Sequence, residues 1–375
     1  MSTARVMSSE YMWWAKTSSH ATINLANSGL IGYPLSGLPA KIEDLEINGS
    51  TYYGYEPLQK AIAEKCGVTT DCVVATNGAS LGNYLALAAT LEPGDEVLIE
   101  HPTYELFVST AQYLGAHVKR FSRRYENDFR VDPRDIESAI TPRTRLIVLT
   151  NLHNPSSARV DEASLRAIGA IARQANARVL VGEIYLDALF ADAPMSAFHF
   201  GPEFMVTNSL TKIYGLSGLR CGWILAEPEL AQRIWRLNDL VANIPAHVAE
   251  RLSCIALANL EVIRRRSREL LATNHLLFNR FLDERPDLQA PHFDYGTISF
   301  PRLQNGSVEE LCSLLLEKYE TSVVPGRFFG MPDHFRIGLG CEPEHFAVGI
   351  QRLGKALDEL AGRSRPSLTA LPPQV

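Results

Sequence analysis

The residues best suited to chemistry lie in Ser209-Leu210-Thr211-Lys212-Ile213-Tyr214-Gly215-Leu216-Ser217-Gly218-Leu219-Arg220-Cys221-Gly222-Trp223, just after an apolar run over Phe204–Thr207. A lysine in a tight loop, with hydroxyls before it and an arginine eight residues after it, suits an imine to an aldehyde cofactor. The amine must be partly deprotonated to attack, and burial beside a cation lowers its pKa. Hydroxyls and Arg220 together would hold a phosphate. Lys212 is also the only lysine between Lys119 and Lys318, in a chain that takes most of its positive charge from arginine. By spacing alone, a surface turn with an ordinary lysine explains the segment equally well.

A second motif competes with it. Gly78-Ala79-Ser80-Leu81-Gly82 matches G-x-S-x-G between a predicted strand and a predicted helix. That is the nucleophile-elbow pattern of α/β-hydrolases, with Asp294 and His334 or His345 available to complete a triad. No His-Gly-Gly-Gly-like oxyanion segment precedes it, and this reading leaves Lys212, Asn154 and Arg336 without a task.

Both motifs need strands and helices to hold them. Predicted helices at 56–66, 79–91, 103–114 and 161–174 alternate with predicted strands at 72–76, 96–100, 145–150, 178–181 and 204–207. This alternation predicts an α/β domain with a mostly parallel central sheet flanked by helices, and ligands bind such sheets at the carboxyl ends of the strands. After residue 228 the pattern changes. Helices are predicted at 229–238 and 246–284, the latter as one long helix or two joined. Short strands at 296–300 and 334–338 and helices at 308–318 and 344–360 follow. The expected division is a large domain over 46–285 and a smaller α+β domain from 1–45 with 286–361. The Pro-containing tail 362–375 is expected to be disordered.

Composition narrows the function classes. The 375 residues are 46% hydrophobic and 21% charged, which fits an ordinary globular chain. A net charge of −6 argues against a nucleic-acid coat, and Arg264-Arg265-Arg266-Ser267-Arg268 reads as a solvated helical face. No apolar run is long enough to span a bilayer, and the first ten residues do not read as an export signal. Six cysteines without a C-x-x-C pair point to a reducing cytoplasm and to no metal site.

Taken in order, these segments resemble class I/II aminotransferases, the fold-type I pyridoxal 5′-phosphate (PLP) enzymes of the aspartate aminotransferase family. The resemblance rests on the Lys212 segment together with Asn77-Gly78-Ala79-Ser80, Pro93-Gly94-Asp95-Glu96-Val97, His101-Pro102-Thr103-Tyr104, Asn151-Leu152-His153-Asn154-Pro155, Glu183-Ile184-Tyr185 and Phe335-Arg336-Ile337. It runs from about residue 20 to 360 and does not specify a substrate. It implies a homodimeric aminotransferase that moves an amino group between an L-amino acid and a 2-oxo acid through a Lys212 aldimine, with Lys212 also as general acid/base. Ala79, Ser80, Ser209 and Arg220 would bind the phosphate, Tyr104 would stack on the ring, and Asn154 and Tyr185 would donate to the phenolate oxygen. Arg336 would hold the substrate carboxylate, and Gly29 would let substrate approach the backbone.

The chain departs from the family pattern at two places. The carboxylate that pairs with the ring nitrogen belongs three residues before Tyr185, where Gly182 stands. Glu183 points to the other face of the strand. A PLP-capable protein with weakened transamination, or a PLP-binding protein with little activity, is therefore expected. The family also often places a tyrosine where Gly49 stands, reaching the neighbouring subunit's phosphate; Tyr52 or Tyr53 is the candidate substitute. Trp13 and Trp14 are candidates for an apolar substrate wall or for packing anchors.

Overall fold

The computed structural model describes residues 6–49 and 52–363. The expected disorder of the tail concerns residues outside this range, apart from Gly362 and Arg363, which end the last helix.

A seven-stranded sheet forms the centre of the molecule. Its strands are β1 (Val73–Asn77), β2 (Glu96–His101), β3 (His117–Ser122), β4 (Thr144–Thr150), β5 (Arg178–Gly182), β6 (Phe204–Ser209) and β7 (Cys221–Leu225). Their spatial order is β1-β7-β6-β5-β4-β2-β3. All neighbours are parallel except β7, which runs antiparallel to β1 and β6. The α/β fold class is the one predicted. Strands β4 to β6 are buried on both faces, as near-continuous runs such as Leu146-Ile147-Val148-Leu149 require.

In and around the sheet, two strands and the two short helices at Glu10–Thr17 and Pro133–Ala139 are not predicted. Strand β3 carries His117, Lys119 and Arg120 at the sheet's edge, so its polar composition hides it. Gly222 weakens the strand signal of β7, and helix α5 (Pro133–Ala139) is only seven residues long. With these counted, the helices flanking the sheet are α2 (Glu56–Cys66), α3 (Ala79–Ala88), α4 (Glu105–Tyr113), α5, α6 (Glu162–Gln174), α7 (Pro228–Asn238) and α8 (His247–Ala258), with α1 at Glu10–Thr17. The long helix expected over 246–284 is two, α8 and α9 (Leu260–Asp283), separated at Asn259.

A second core gathers Ile23, Leu25 and Leu30 with residues of α10 (Val308–Tyr319), β10 (Phe335–Gly338) and α11 (Pro343–Arg363). In it β10 pairs antiparallel with β8 (Ile298–Ser299) and β9 (Val324–Pro325). Leu270, Leu271 and Phe278 of α9 join this core, while Ile263 joins the sheet's core, so α9 runs from one to the other.

One buried ion pair braces the sheet. Arg123 Nη1 and Glu100 Oε2 lie 2.8 Å apart with both side chains fully buried. Glu100 Oε1 also accepts from the backbone N–H and hydroxyl of Thr150 at 2.8 and 2.6 Å. Arg123→Leu leaves that carboxylate uncompensated and should cost about 3–5 kcal/mol, read as a lower urea midpoint at unchanged m.

Candidate active site

The carboxyl ends of β1, β4, β5 and β6 open onto a cavity of about 810 Å³, roofed by α1. Eight of the predicted site residues line it: Ala79, Ser80, Tyr104, Asn154, Tyr185, Ser209, Lys212 and Arg220. Gly29, Gly182 and Arg336 stand immediately behind the lining.

Lys212 follows β6, and its Nζ donates to Ser28 Oγ at 3.0 Å. Its pKa is lowered to about 8, chiefly by desolvation, with Tyr11 opposing and Arg336 and Arg220 contributing to the lowering. Ser28 also lies beside the Tyr185 phenol and lowers its pKa slightly against burial, so it stands between the amine and the phenol. Sequence reasoning gave Ser28 no role. A Cβ on Gly29 would lie 3.0 Å from Lys212 Cδ and 3.3 Å from its Cα. The close neighbour that Gly29 admits in the structure is Lys212.

The phosphate cup expected at the start of α3 presents backbone to the cavity. Gly78 caps α3 with φ +81° and offers no side chain to its first amides, so those N–H groups are free for an anion. A Cβ on Gly78 would fall 2.3 Å from Arg220 Nη2, and one on Gly222 would fall 2.4 Å from Gly78 C. Only two glycines let β7 and the guanidinium close against this turn. Ser80 belongs to the first turn of a regular helix, which is not the strained turn of a nucleophile elbow. His334 is buried, stacked on Phe300 at 4.8 Å and bonded to Asp333. His345 is exposed on α11, and neither histidine nor Asp294 lines the cavity. The triad expected for a hydrolase is not assembled.

Asn154 is positioned from below. Its N–H donates to Thr150 Oγ1 at 3.0 Å, and Thr150 is held by Glu100. His153 ties the same loop to Pro102 O at 2.9 Å. Arg336 Nη1 donates to Asn154 Oδ1 at 3.0 Å, which leaves the Asn154 amide nitrogen as the end free to donate. Tyr104 borders the cavity, edge-on to Tyr11 at 6.0 Å, and burial pushes its pKa up.

Arg336 is 1% exposed. Its Nη2 donates to Tyr11 Oη at 2.8 Å and Ala26 O at 3.0 Å, while the buried Nε has no partner. Unlike Arg123, it pairs with no carboxylate among the described residues. A buried guanidinium without an anion is costly unless a ligand supplies one.

Glu183 turns away from the cavity and accepts from Ala197 N at 2.7 Å, as its neighbour's opposite orientation demands. Burial raises its pKa to about 7. Tyr53 is exposed and donates to Asp239 Oδ2 at 3.0 Å, and Tyr52 is more exposed still. Trp14 lines the cavity and packs against Phe328, whereas Trp13 faces outward.

The sequence profile of "Aminotransferase class I and II" matches residues 44–353. The chain belongs to this family. Among similar proteins, capreomycidine synthase of Streptomyces vinaceus is 28% identical, with 94% of each chain covered. The arginine–pyruvate transaminase of Pseudomonas aeruginosa is 27% identical over 89% of this chain and 90% of its own. A PLP-dependent aminotransferase from Streptococcus suis superposes with a TM-score of 0.87 at 25% identity, covering 93% of this chain and 96% of that one. Among the described residues of this aminotransferase, no helix is long and apolar enough to cross a membrane.

Proposed function

We propose that this aminotransferase exchanges an amino group between an L-amino acid and a 2-oxo acid, with PLP as cofactor carried on Lys212. The observation that carries the reading is the convergence on one cavity of a lysine with a lowered pKa, an uncapped helix N-terminus and a buried arginine lacking an anion. These match an aldehyde, a phosphate and a substrate carboxylate. When bound, PLP supplies the aldehyde for amine exchange and a conjugated ring that takes up electrons from the substrate Cα.

The chain's residues then divide the work. The α3 amides, Ser80, Ser209 and Arg220 bind the phosphate. The Asn154 amide and the Tyr185 hydroxyl would donate to the phenolate oxygen, and Tyr104 would cover a ring face. Arg336 takes the substrate α-carboxylate through its fork of N–H donors, releasing Tyr11. Lys212 Nζ, released from Ser28, takes the proton from the substrate Cα and returns it at the cofactor's C4′. Tyr11, Trp14 and Tyr104 limit water at that atom.

The test is a single turnover. The PLP-loaded protein, given one amino acid at a time and no oxo acid, should lose its absorption band and release up to one oxo acid per site. A band that no proteinogenic amino acid alters would refute transamination of such donors. Gly222→Ala should raise the Kd for PLP about 5- to 150-fold through overpacking against Gly78, read by fluorescence titration.

Family membership gives no support to the expected loss of turnover. That expectation rests on Gly182 alone, and Gly182→Asp should raise the rate of the half-reaction if it holds. A cytoplasmic location is supported by six free cysteines. A homodimer is supported by exposed Ile42, Ile47, Leu240 and Val241, and sedimentation should return twice 41.5 kDa. The two cores support the division into 46–285 and 1–45 with 286–361, α9 serving both.

A further inference from the structure

The cavity contains no carboxylate where the cofactor ring must lie. Thr150, Gly182 and Thr207 are register partners across β4, β5 and β6, so position 182 faces the same side as both threonines. A Cβ there would meet Thr150 Cγ2 at 3.2 Å, Ile184 Cδ1 at 3.3 Å and Phe107 Cζ at 3.6 Å, all three from residues of the cavity wall. The two nearest sheet carboxylates are committed elsewhere, Glu100 to Arg123 and Thr150, Glu183 to Ala197. None of the described lining residues is an aspartate or glutamate.

One polar side chain of the cavity wall is tied to the strand partner of Gly182. Asn83, in the second turn of α3, is buried and lines the cavity. Thr207 Oγ1 donates to Asn83 Oδ1 at 2.7 Å. With its oxygen held, the amide presents its NH2 end, and no acceptor engages that nitrogen among the described residues. Thr207 is also the strand partner of Gly182, which places the oriented amide beside the missing carboxylate.

We propose that Asn83, oriented by Thr207, donates a hydrogen bond to the ring nitrogen of PLP and holds that nitrogen unprotonated. The inference rests on the cofactor assignment above. A donor facing a pyridine nitrogen favours its neutral form, as a facing carboxylate would favour pyridinium. The other charged groups around the cavity act in the same direction: Lys16 and Arg220 line it and Arg336 stands behind Asn154 and Tyr11, all cations. Gly182 and Asn83 are thus a matched pair, one removing an acceptor of the ring's proton and the other supplying a donor in its place.

The holoenzyme prepared with ring-15N PLP tests this by NMR. The ring nitrogen should resonate as a neutral, hydrogen-bonded pyridine. Asn83→Leu should move it toward free pyridine and weaken PLP binding about fivefold, the worth of one neutral hydrogen bond. Asn83→Asp, nearly isosteric, should convert the signal to pyridinium, and it keeps the test decisive if the leucine variant does not fold. A pyridinium signal in the unaltered protein would overturn the inference. So would an Asn83→Leu variant with unchanged signal and affinity, or a neutral signal in Asn83→Asp. Failure to form any Lys212-dependent PLP complex would instead overturn the cofactor assignment beneath it.

Discussion

Lys212→Ala should lower aminotransferase turnover by about 10⁴-fold or more, because it removes both the covalent anchor and the proton carrier. The chain should still fold, since the cut leaves only Ser28 Oγ without its donor. Residual PLP would then be held only by its non-covalent contacts, the phosphate cup foremost, without a band sensitive to the lysine. The effect has a pH signature. A pKa near 8 leaves about a quarter of Lys212 as free amine at pH 7.5, about 240-fold more than a lysine at its ordinary value. The rate of PLP capture should therefore rise with pH and level off above about 8. The sign also fixes a stability trend. The folded chain binds this proton less tightly than the unfolded chain, so Lys212 adds stability as pH rises from about 8 toward 10.5. Retention of transaminase activity in Lys212→Ala would contradict the assignment outright.

Arg336→Leu should reduce kcat/KM for amino acids by about 10²–10⁴-fold. Two charge-assisted hydrogen bonds to the carboxylate are lost, each worth about 1.5–3 kcal/mol. Arg336→Lys should recover only part, because an ammonium cannot engage both carboxylate oxygens with a planar fork. The comparison substrate is an amine without the carboxylate, whose reaction should be unaffected by either substitution. Equal loss for both substrates would mean that Arg336 shapes the cavity through Asn154 and Tyr11 rather than binding the carboxylate.

The parts that sequence revealed are those with strong local signals. Apolar runs such as 146–149 announce buried parallel strands, and the alternation of strands with helices announces the α/β sheet. Residues in ordered motifs, from Ala79 to Arg336, could be placed because the resemblance carried them. What sequence hid depended on contacts between distant segments. Ser28 and Asn83 carry no motif, and their importance arises only when Lys212 and Thr207 come within hydrogen-bond reach. Gly29 and Gly222 were legible as small residues, but the partners that require them, Lys212 and the Gly78 turn, are distant in the chain. Strand β3 was missed because an edge strand needs no apolar alternation on both faces. The hydrolase pattern at Ser80 illustrates the opposite error: five residues in the right spelling, with no histidine brought near them.

The measurement closest to the central claim is borohydride trapping. The purified protein is incubated with PLP, reduced, digested and analysed by mass spectrometry. The expected result is one pyridoxyl group per chain, on the peptide containing Lys212, abolished by Lys212→Ala. A label on another lysine, or none, would contradict the proposal that this cavity carries PLP on Lys212.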